Sequence, residues 1–106
     1  MDNQETKVIF RKWNKSVDKN QGIIAIFPEE IAWTNSRCDC ESWERDTDDW
    51  GPCVPEVVVK GSKLAAESEY LEALNHLESH YGLKLRVLKR VPRTAIKVRS
   101  KIIAQL

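Results

Sequence analysis

The chain has 106 residues, of which 42% are hydrophobic and 31% are charged, and its formal net charge is +1. This length and composition predict one globular domain with a modest core, and they exclude an intrinsically disordered chain. No apolar run reaches the roughly 18 residues of a membrane-spanning helix, so we expect no membrane span.

The small net charge conceals two blocks of opposite sign. Residues 29–56 carry nine acidic and two basic side chains, whereas residues 83–106 carry eight basic side chains and no acidic one. Such blocks can attract each other within the fold or face outward to different partners. The sequence leaves both possibilities open.

The N-terminal residues and the cysteines bear on the cellular compartment. Residues 1–7 lack the basic and then apolar pattern of a secretory signal. The three cysteines are odd in number and irregular in spacing. We therefore expect a cytoplasmic protein with reduced thiols.

The first predicted element is a strand over residues 6–13, which are rich in β-branched and aromatic side chains. Alternation predicts Val8 and Phe10 on one face and Ile9 and Trp13 on the other. Basic side chains interrupt the pattern, so neither face is wholly apolar.

The second predicted element is a central strand. Residues 22–27 form a continuous apolar run, which is typical of a strand covered on both faces. Pro28 ends it because proline cannot donate a hydrogen bond to a sheet ladder. A short polar connection joins the two strands and predicts a β-hairpin.

The middle of the chain is predicted to hold two strands around a loop. Residues 38–43 alternate as a third strand. Residues 44–55 are rich in Asp, Gly and Pro, which predicts a loop. Residues 56–60, EVVVK, favour a short strand.

Residues 65–81 carry the clearest helical pattern in the chain. The apolar stripe, at spacings of three and four, consists of Leu64, Tyr70, Leu71, Leu74, Leu77 and Tyr81. Ser62 is a candidate N-cap, with a start nearer Ala66 as the alternative. Gly82 is expected to provide a left-handed C-terminal cap. Residues 83–87 then alternate as a half-buried strand that we expect to pair with the sheet.

The C-terminal residues 92–106 fit two structures. Ala95, Val98, Ile102 and Leu106 form a helical stripe, while residues 96–99 also fit a strand. We favour the helix. The pattern does not exclude the strand.

These elements predict an α+β fold. A small antiparallel sheet of three to five strands would carry one main amphipathic helix on one face, in the order β-β-β-(β)-α-β. Residues 1–91 would form this domain, and residues 92–106 would form a basic, helical extension. The oligomeric state stays open, a dimer included.

Four stretches carry a resemblance to a known family. They are VIFRKW at 8–13, IIAIFPEE at 23–30, CDCESW at 38–43 and EYLEALNHLESHYGLKLRVLKR at 69–90. They resemble a family of small uncharacterised bacterial and mobile-element proteins, which open with VIFRKF-like and ALFPE-like strands and close with an EY helix and an LKVxKR strand. The resemblance implies a fold type and an origin in a phage, plasmid or other mobile element, but no activity.

This chain departs from the family pattern in two places. Its central loop is acidic and contains Trp where relatives tend to carry His, Gly and Gln, and the segment after Arg90 is an extension. Any role that the resemblance attaches to the central His is therefore not carried over.

A zinc site is one hypothesis. The candidate ligands are Cys38, Cys40, Cys53, His76 and His80. Two histidines four residues apart place their imidazoles on one helix face, as zinc ligation requires. Against this, C-x-C is not the usual zinc knuckle, and the histidines do not belong to an HExxH motif. Half-exposed helix histidines and small buried thiols are the simpler interpretation.

Nucleic-acid binding by the C-terminal block is a second hypothesis. The candidate phosphate contacts are Lys89, Arg90, Arg93, Lys97, Arg99 and Lys101. No recognisable nucleic-acid-binding motif accompanies them. The simpler interpretation is a solvated face that packs on the acidic segment.

An acidic, Trp-containing loop is the third hypothesis. The candidate partner-binding residues are Trp43, Asp46, Asp48, Asp49 and Trp50. Exposed Trp is a common interface anchor, and the carboxylates would face a basic partner surface. The simpler interpretation is that both indoles fold onto the sheet, because large aromatic side chains are mostly buried.

The chain offers no catalytic motif. It has no GxSxG, no phosphate-binding glycine loop and no dinucleotide fingerprint, and only four glycines in all. We therefore expect a non-enzymatic binding or accessory protein that engages a protein partner through the acidic loop or the basic tail. A nucleic-acid binder using residues 84–101 is the alternative, and a zinc-stabilised module is the second.

Overall fold

The two N-terminal strands form the hairpin that the sequence predicts. In the computed structural model, which describes residues 4–106, β1 is Thr6–Trp13 and β2 is Ile23–Phe27. They pair antiparallel, with Ile9 opposite Ile26. Every residue of β2 is buried, as expected for a continuous apolar strand covered on both faces.

Four more strands and three helices complete the described chain. They are β3 Cys40–Glu44, β4 Asp49–Cys53, α1 Pro55–Lys60, β5 Ser62–Leu64, α2 Glu67–His80, β6 Leu85–Val87 and α3 Ala95–Ala104. The strand order is β4-β3-β2-β1-β5, antiparallel throughout, and β6 runs parallel to the first half of β1. The fold is α+β, as predicted, with six strands where at most five were expected. No helix among residues 4–106 is long and apolar enough to cross a membrane.

The alternation of β1 divides the core into two layers, as predicted. Val8 and Phe10 face α2, while Ile9 faces α1. The layer under α2 also contains Ile23, Ala25, Phe27, Trp43, Ala73 and Leu77. The layer under α1 also contains Ile24, Ile26, Cys40 and Val58, with Trp13 packed against it.

The buried stripe of α2 differs from the predicted one. Leu77 is 0% exposed and Ala73 is 1% exposed, whereas Leu71 is 45% exposed. Residues 73 and 77 lie one turn apart on the face that meets the sheet, and position 71 is rotated away from it. Leu64 is 42% exposed and belongs to β5, so its place in the stripe was also wrong.

Both ends of α2 are capped within the chain. Ser62 is not the N-cap, because it lies in β5 and the helix starts at Glu67. At this start the Ala66 backbone N–H donates to the Glu69 carboxylate over 2.9 Å. At the other end Gly82 has a φ of +68°, which is the left-handed cap that the sequence predicts.

Residues 56–60 form a helix, where the sequence favoured a strand. Pro55 occupies the first turn of α1, and its fixed φ suits that position. Glu56 lies in the first turn and Lys60 in the last, as the helix dipole favours. The strand preference of the three valines is outweighed by the favourable residues at both ends of the helix and by the packing of Val58 against the sheet.

Two other segments in this part of the chain also depart from the sequence-based picture. Residues 44–55, predicted as a loop, contain β4, which pairs with β3 in a tight hairpin. The strand predicted over residues 83–87 is confirmed only for Leu85–Val87, and it pairs with β1 in parallel.

The C-terminal segment is helical, as favoured. In α3, Ala95 and Arg99 are buried. The Arg99 guanidinium donates to the backbone carbonyls of Pro28 over 2.6 Å and Arg37 over 3.0 Å. These bonds hold α3 against the connection between β2 and β3.

Candidate functional site

The acidic, Trp-containing hairpin packs onto α2 and does not project from the fold. Trp43 is 1% exposed, so its predicted role as an exposed anchor is wrong. Its indole N–H donates to the Asp48 carboxylate over 2.7 Å, and the Tyr81 hydroxyl donates to the same oxygen over 2.8 Å. His76 Nε2 lies 3.4 Å from this oxygen. These donors, chiefly Trp43 and then Tyr81, lower the pKa of Asp48.

Trp50 is partly covered by the same aromatic cluster. It is 37% exposed, and its ring centroid lies 5.4 Å from that of Phe27 and 5.1 Å from that of Tyr81. Asp46 and Asp49 are exposed, and Asp46 lies 3.4 Å from Arg45. The hairpin therefore offers carboxylates to solvent and keeps most of its indole surface in packing contacts.

A polar cleft lies between this hairpin and α2. Its volume is about 420 Å³, and its lining comprises Trp43, Arg45, Asp48, Glu72, Ala73 and His76. Asp48, one of the carboxylates that line the cleft, already accepts hydrogen bonds from Trp43 and Tyr81. The contribution of Tyr81 was not foreseen, because the sequence placed it in the apolar stripe of α2.

The proposed zinc ligands fall into separate groups. Cys40 and Cys53 face the layer under α1, and their sulfurs lie 3.6 Å apart. The rings of His76 and His80 stack on α2 with their centroids 5.0 Å apart. His76 contacts Trp43, which lies on the face of the sheet opposite to the two cysteines. Cys38 is exposed and precedes β3. The five residues do not form one site, and no group of three or more metal-ligating side chains occurs among residues 4–106.

The predicted phosphate contacts of the C-terminal block are exposed, with the exception of Arg99, and none of them pairs with a carboxylate in the described residues. Lys89, Arg90, Arg93, Lys97 and Lys101 are exposed. Arg99 is 3% exposed and bonded to backbone carbonyls, so its predicted role in phosphate contact is wrong. In the part of the chain that the structure describes, the ion pairs involve Lys7, Lys12, Arg45 and His76. The acidic and basic blocks therefore do not neutralise each other through ion pairs.

Two grooves adjoin this basic surface. The first, which we call the α1 groove, has a volume of about 390 Å³ and is lined by Ile9, Arg11, Glu56, Val59, Lys60, Lys89, Arg90 and Val91. The second, the α3 groove, has a volume of about 500 Å³ and is lined by Arg37, Ile96, Lys97, Ser100 and Lys101. The α1 groove has an apolar floor and a basic rim. The α3 groove is lined by three basic residues and no carboxylate, although most of its exposed surface is apolar.

The position of Arg11 shapes the α1 groove. Its guanidinium donates to the Ser62 hydroxyl over 2.9 Å, to the Ser62 carbonyl over 2.8 Å and to the Val59 carbonyl over 3.1 Å. Partial burial lowers the pKa of this guanidinium. These bonds fix the C-terminal end of α1 beside β1, so Val59 borders the groove at a defined position.

Sequence reasoning missed most of the α1 groove. The strand assigned to residues 56–60 placed the valines in a sheet, where they would not border a helix-lined groove. Val57 is 65% exposed and Val59 is 38% exposed on α1. The flanking Pro55 and Gly61 were the available signals for a short helix.

No protein-family model matches the chain, and searches of curated proteins and of solved structures returned no match either. The resemblance based on VIFRKW, IIAIFPEE, CDCESW and the EY helix stays a prediction.

Proposed function

We propose that the chain is a non-enzymatic accessory protein that binds a partner protein through the α1 groove. The observation that carries this proposal is the pairing of an apolar floor with a basic rim. Val59 and Val91 supply apolar surface, and the buried Ile9 lines the groove beside them. Lys60, Lys89 and Arg90 flank it, against the single carboxylate of Glu56.

The apolar floor and basic rim of the α1 groove favour an acidic, amphipathic segment of the partner protein as its ligand. Apolar side chains of such a segment would fill the floor between α1 and residues 89–91, as in helix-in-groove recognition. Its Asp and Glu side chains would meet the rim cations, which have no carboxylate partners within the described chain.

A displayed library of random peptides, panned against the immobilised wild-type protein, tests this proposal. We expect enrichment of peptides that combine Leu, Ile or Phe with Asp or Glu. A labelled peptide from that pool should bind at least about tenfold more weakly to Val59→Asp, and to the double variant Lys89→Glu with Arg90→Glu. The charge-reversal effect should shrink in high salt, and the Val59→Asp effect should persist.

Matched variants control for charge and for helix exposure. Leu71→Asp changes an exposed aliphatic residue on α2, on the other face of the sheet. The double variant Lys84→Glu with Arg86→Glu reverses two exposed charges outside the groove. Both should bind the peptide as the wild type does. Equal binding by the groove variants and the controls, or an enriched pool without acidic residues, would contradict the proposal.

The α3 groove favours nucleic acid as a second candidate partner. Arg37, Lys97 and Lys101 converge there beside the Ser100 hydroxyl, and no carboxylate lines the groove. Trp33, on the same connection as Arg37, is 76% exposed. Clustered cations with an exposed aromatic ring suit the backbone and bases of a single strand.

Fluorescence anisotropy with a labelled single-stranded oligonucleotide tests this second candidate. At low salt we expect binding that weakens steeply as salt rises. The triple variant Arg37→Glu, Lys97→Glu and Lys101→Glu should abolish it, and Trp33→Ala should weaken it about tenfold. The α1 groove variant Val59→Asp should bind the oligonucleotide normally. Absence of binding at low salt would exclude this candidate.

A further inference from the structure

Cys40 and Cys53 stand opposite each other on adjacent antiparallel strands. They are register partners of β3 and β4, and their sulfurs lie 3.6 Å apart in hydrogen-bonding contact. Directly opposed residues of such strands have Cα atoms about 4.5–5.5 Å apart. Disulfides span Cα separations of about 4.4–6.8 Å. A bond between the two sulfurs therefore requires side-chain rotation and no rearrangement of the strands.

The surroundings distinguish the two thiols. The pKa of Cys53 is lowered, chiefly by its hydrogen bond with Cys40 and further by the side chain of Ser42. The pKa of Cys40 is raised by the same bond and by burial. The charge of Arg99, which is 3% exposed and little screened by water, acts to lower the pKa of both thiols and so does not distinguish them. These directions favour Cys53 over Cys40 as the attacking thiol.

Access to the two sulfurs differs in the same sense. β4 is the outermost strand at its end of the sheet, and Cys53 on it is half-buried. Cys40 is 0% exposed. An external disulfide therefore reacts with Cys53 first. Cys40 then takes part only through exchange with the sulfur of Cys53.

We propose that Cys53 and Cys40 form a thiol–disulfide exchange site for low-molecular-weight disulfides of the glutathione class. The Cys53 thiolate attacks one sulfur of oxidised glutathione, its S–S bond breaks, and one glutathione thiolate leaves. Cys40 then loses its proton to solvent or to that thiolate, and its sulfur attacks Cys53 Sγ. The mixed disulfide breaks and releases the second glutathione thiolate. Two protein thiols are oxidised to one disulfide, and one glutathione disulfide is reduced to two thiols.

This bond would tie the outer strand β4 to β3. β4 otherwise has a sheet partner on one side, and the bond would link its last residue to the first residue of β3. Closing the hairpin covalently restricts the unfolded chain and raises the thermal midpoint. The exchange site acts independently of the α1 groove and does not rest on the proposed function.

Mass spectrometry of the reduced protein after incubation with oxidised glutathione tests the site. The variant Cys38→Ala removes the exposed third thiol. After oxidation, the mass of the Cys38→Ala variant should fall by that of two hydrogens. Peptide mapping should show the peptides that contain Cys40 and Cys53 joined by a disulfide. The double variant Cys38→Ala with Cys40→Ala should retain one glutathione on Cys53. The double variant Cys38→Ala with Cys53→Ala should react at least about tenfold more slowly in native buffer, and should react readily in urea.

Three results would overturn the proposal. They are a stable glutathione adduct without the Cys40–Cys53 link in Cys38→Ala, equal native reactivity of Cys40 and Cys53 in the two double variants, and no reaction at all. Circular dichroism of each reduced variant establishes that it is folded. If Cys40→Ala does not fold, peptide mapping of oxidised Cys38→Ala decides between the linked pair and a simple adduct. Mapping uses no substitution at either strand position.

Discussion

The indole N–H of Trp43 donates a 2.7 Å hydrogen bond to the carboxylate of Asp48, so a buried side chain of β3 holds the turn that leads into β4. Asp48 has a φ of +54°, in the left-handed region that non-glycine residues rarely adopt. The Tyr81 hydroxyl, just beyond α2, donates to the same oxygen. Asp48 therefore joins the hairpin to the end of the main helix.

Replacement of Trp43 by Phe should destabilise the fold by about 1–3 kcal/mol, because a smaller ring leaves a void in a tightly packed layer. Trp43 is 1% exposed and lies under α2. Urea denaturation with a common m-value measures the change in the free energy of unfolding. Trp50→Phe is the control, since Trp50 is 37% exposed and should cost less. Equal losses for the two variants would contradict the placement of Trp43.

The link through Asp48 should weaken in acid. Its pKa is lower in the folded chain than the ordinary aspartate value, chiefly because Trp43 and then Tyr81 donate to it. A group of this kind stabilises the fold fully above its unfolded pKa, about 3.9, and loses this contribution as the pH falls towards the folded pKa. The stability difference between the wild type and Asp48→Asn should therefore be constant above about pH 5 and shrink below about pH 4.

Thermal midpoints of both proteins across this pH range measure the difference. Asp49→Asn, in the same hairpin, is the control for the loss of one exposed carboxylate. It should show a smaller dependence on pH over this interval. A difference between the wild type and Asp48→Asn that does not change with pH would show that the hydrogen bonds to Asp48 do not contribute in this way.

The two faces of α2 should respond differently to truncation. Leu77 is 0% exposed, so Leu77→Ala should cost about 2–5 kcal/mol through lost transfer free energy and an added cavity. Leu71 is 45% exposed, so Leu71→Ala should cost less than about 1 kcal/mol. Urea denaturation of the pair checks this directly. A larger decrease in the free energy of unfolding for Leu71→Ala than for Leu77→Ala would show that Leu71 belongs to the buried face of α2, as the sequence predicted.

The parts of the fold that sequence predicts well are those where one periodicity leaves little choice. Alternation placed Val8 and Phe10 opposite Ile9, and an unbroken apolar run placed β2 at the centre of the sheet. On α2 the pattern was less selective, because Leu71 extends the apolar arc beyond what the sheet covers, whereas Leu74 packs against the core. Which part of a wide stripe becomes buried depends on the docking angle, and the sequence does not encode that angle locally.

The candidate sites depended on tertiary contacts that sequence spacing does not report. Three successive valines favour a strand by propensity, yet Pro55, Gly61 and the packing of Val58 make them a helix that borders a groove. The juxtaposition of Cys40 with Cys53 follows from the register of a hairpin whose second strand looked like a loop. The cysteines lie on one face of the sheet and the histidines contact the other face. This separation could be predicted only after the position and register of β3 were known.

Arg99 provides the sharpest test of how the C-terminal segment is attached. Its guanidinium is buried and donates to the carbonyls of Pro28 and Arg37, which belong to the connection between β2 and β3. Arg99→Met should cost about 2–4 kcal/mol, because two carbonyls lose charge-assisted donors in a buried setting. Amide hydrogen exchange should accelerate in α3 and in residues 28–37, and change little in β1 and β2.

Lys97→Met is the matched control for Arg99→Met, because it removes a positive charge from an exposed position of the same helix. It should change the free energy of unfolding by less than about 0.5 kcal/mol and leave exchange in α3 as in the wild type. If the two variants behave alike, charge on α3 and not the buried hydrogen bonds determines its stability. If only Arg99→Met releases α3, a single basic residue of the C-terminal block anchors the helix, which leaves Lys97 and Lys101 free to face a partner.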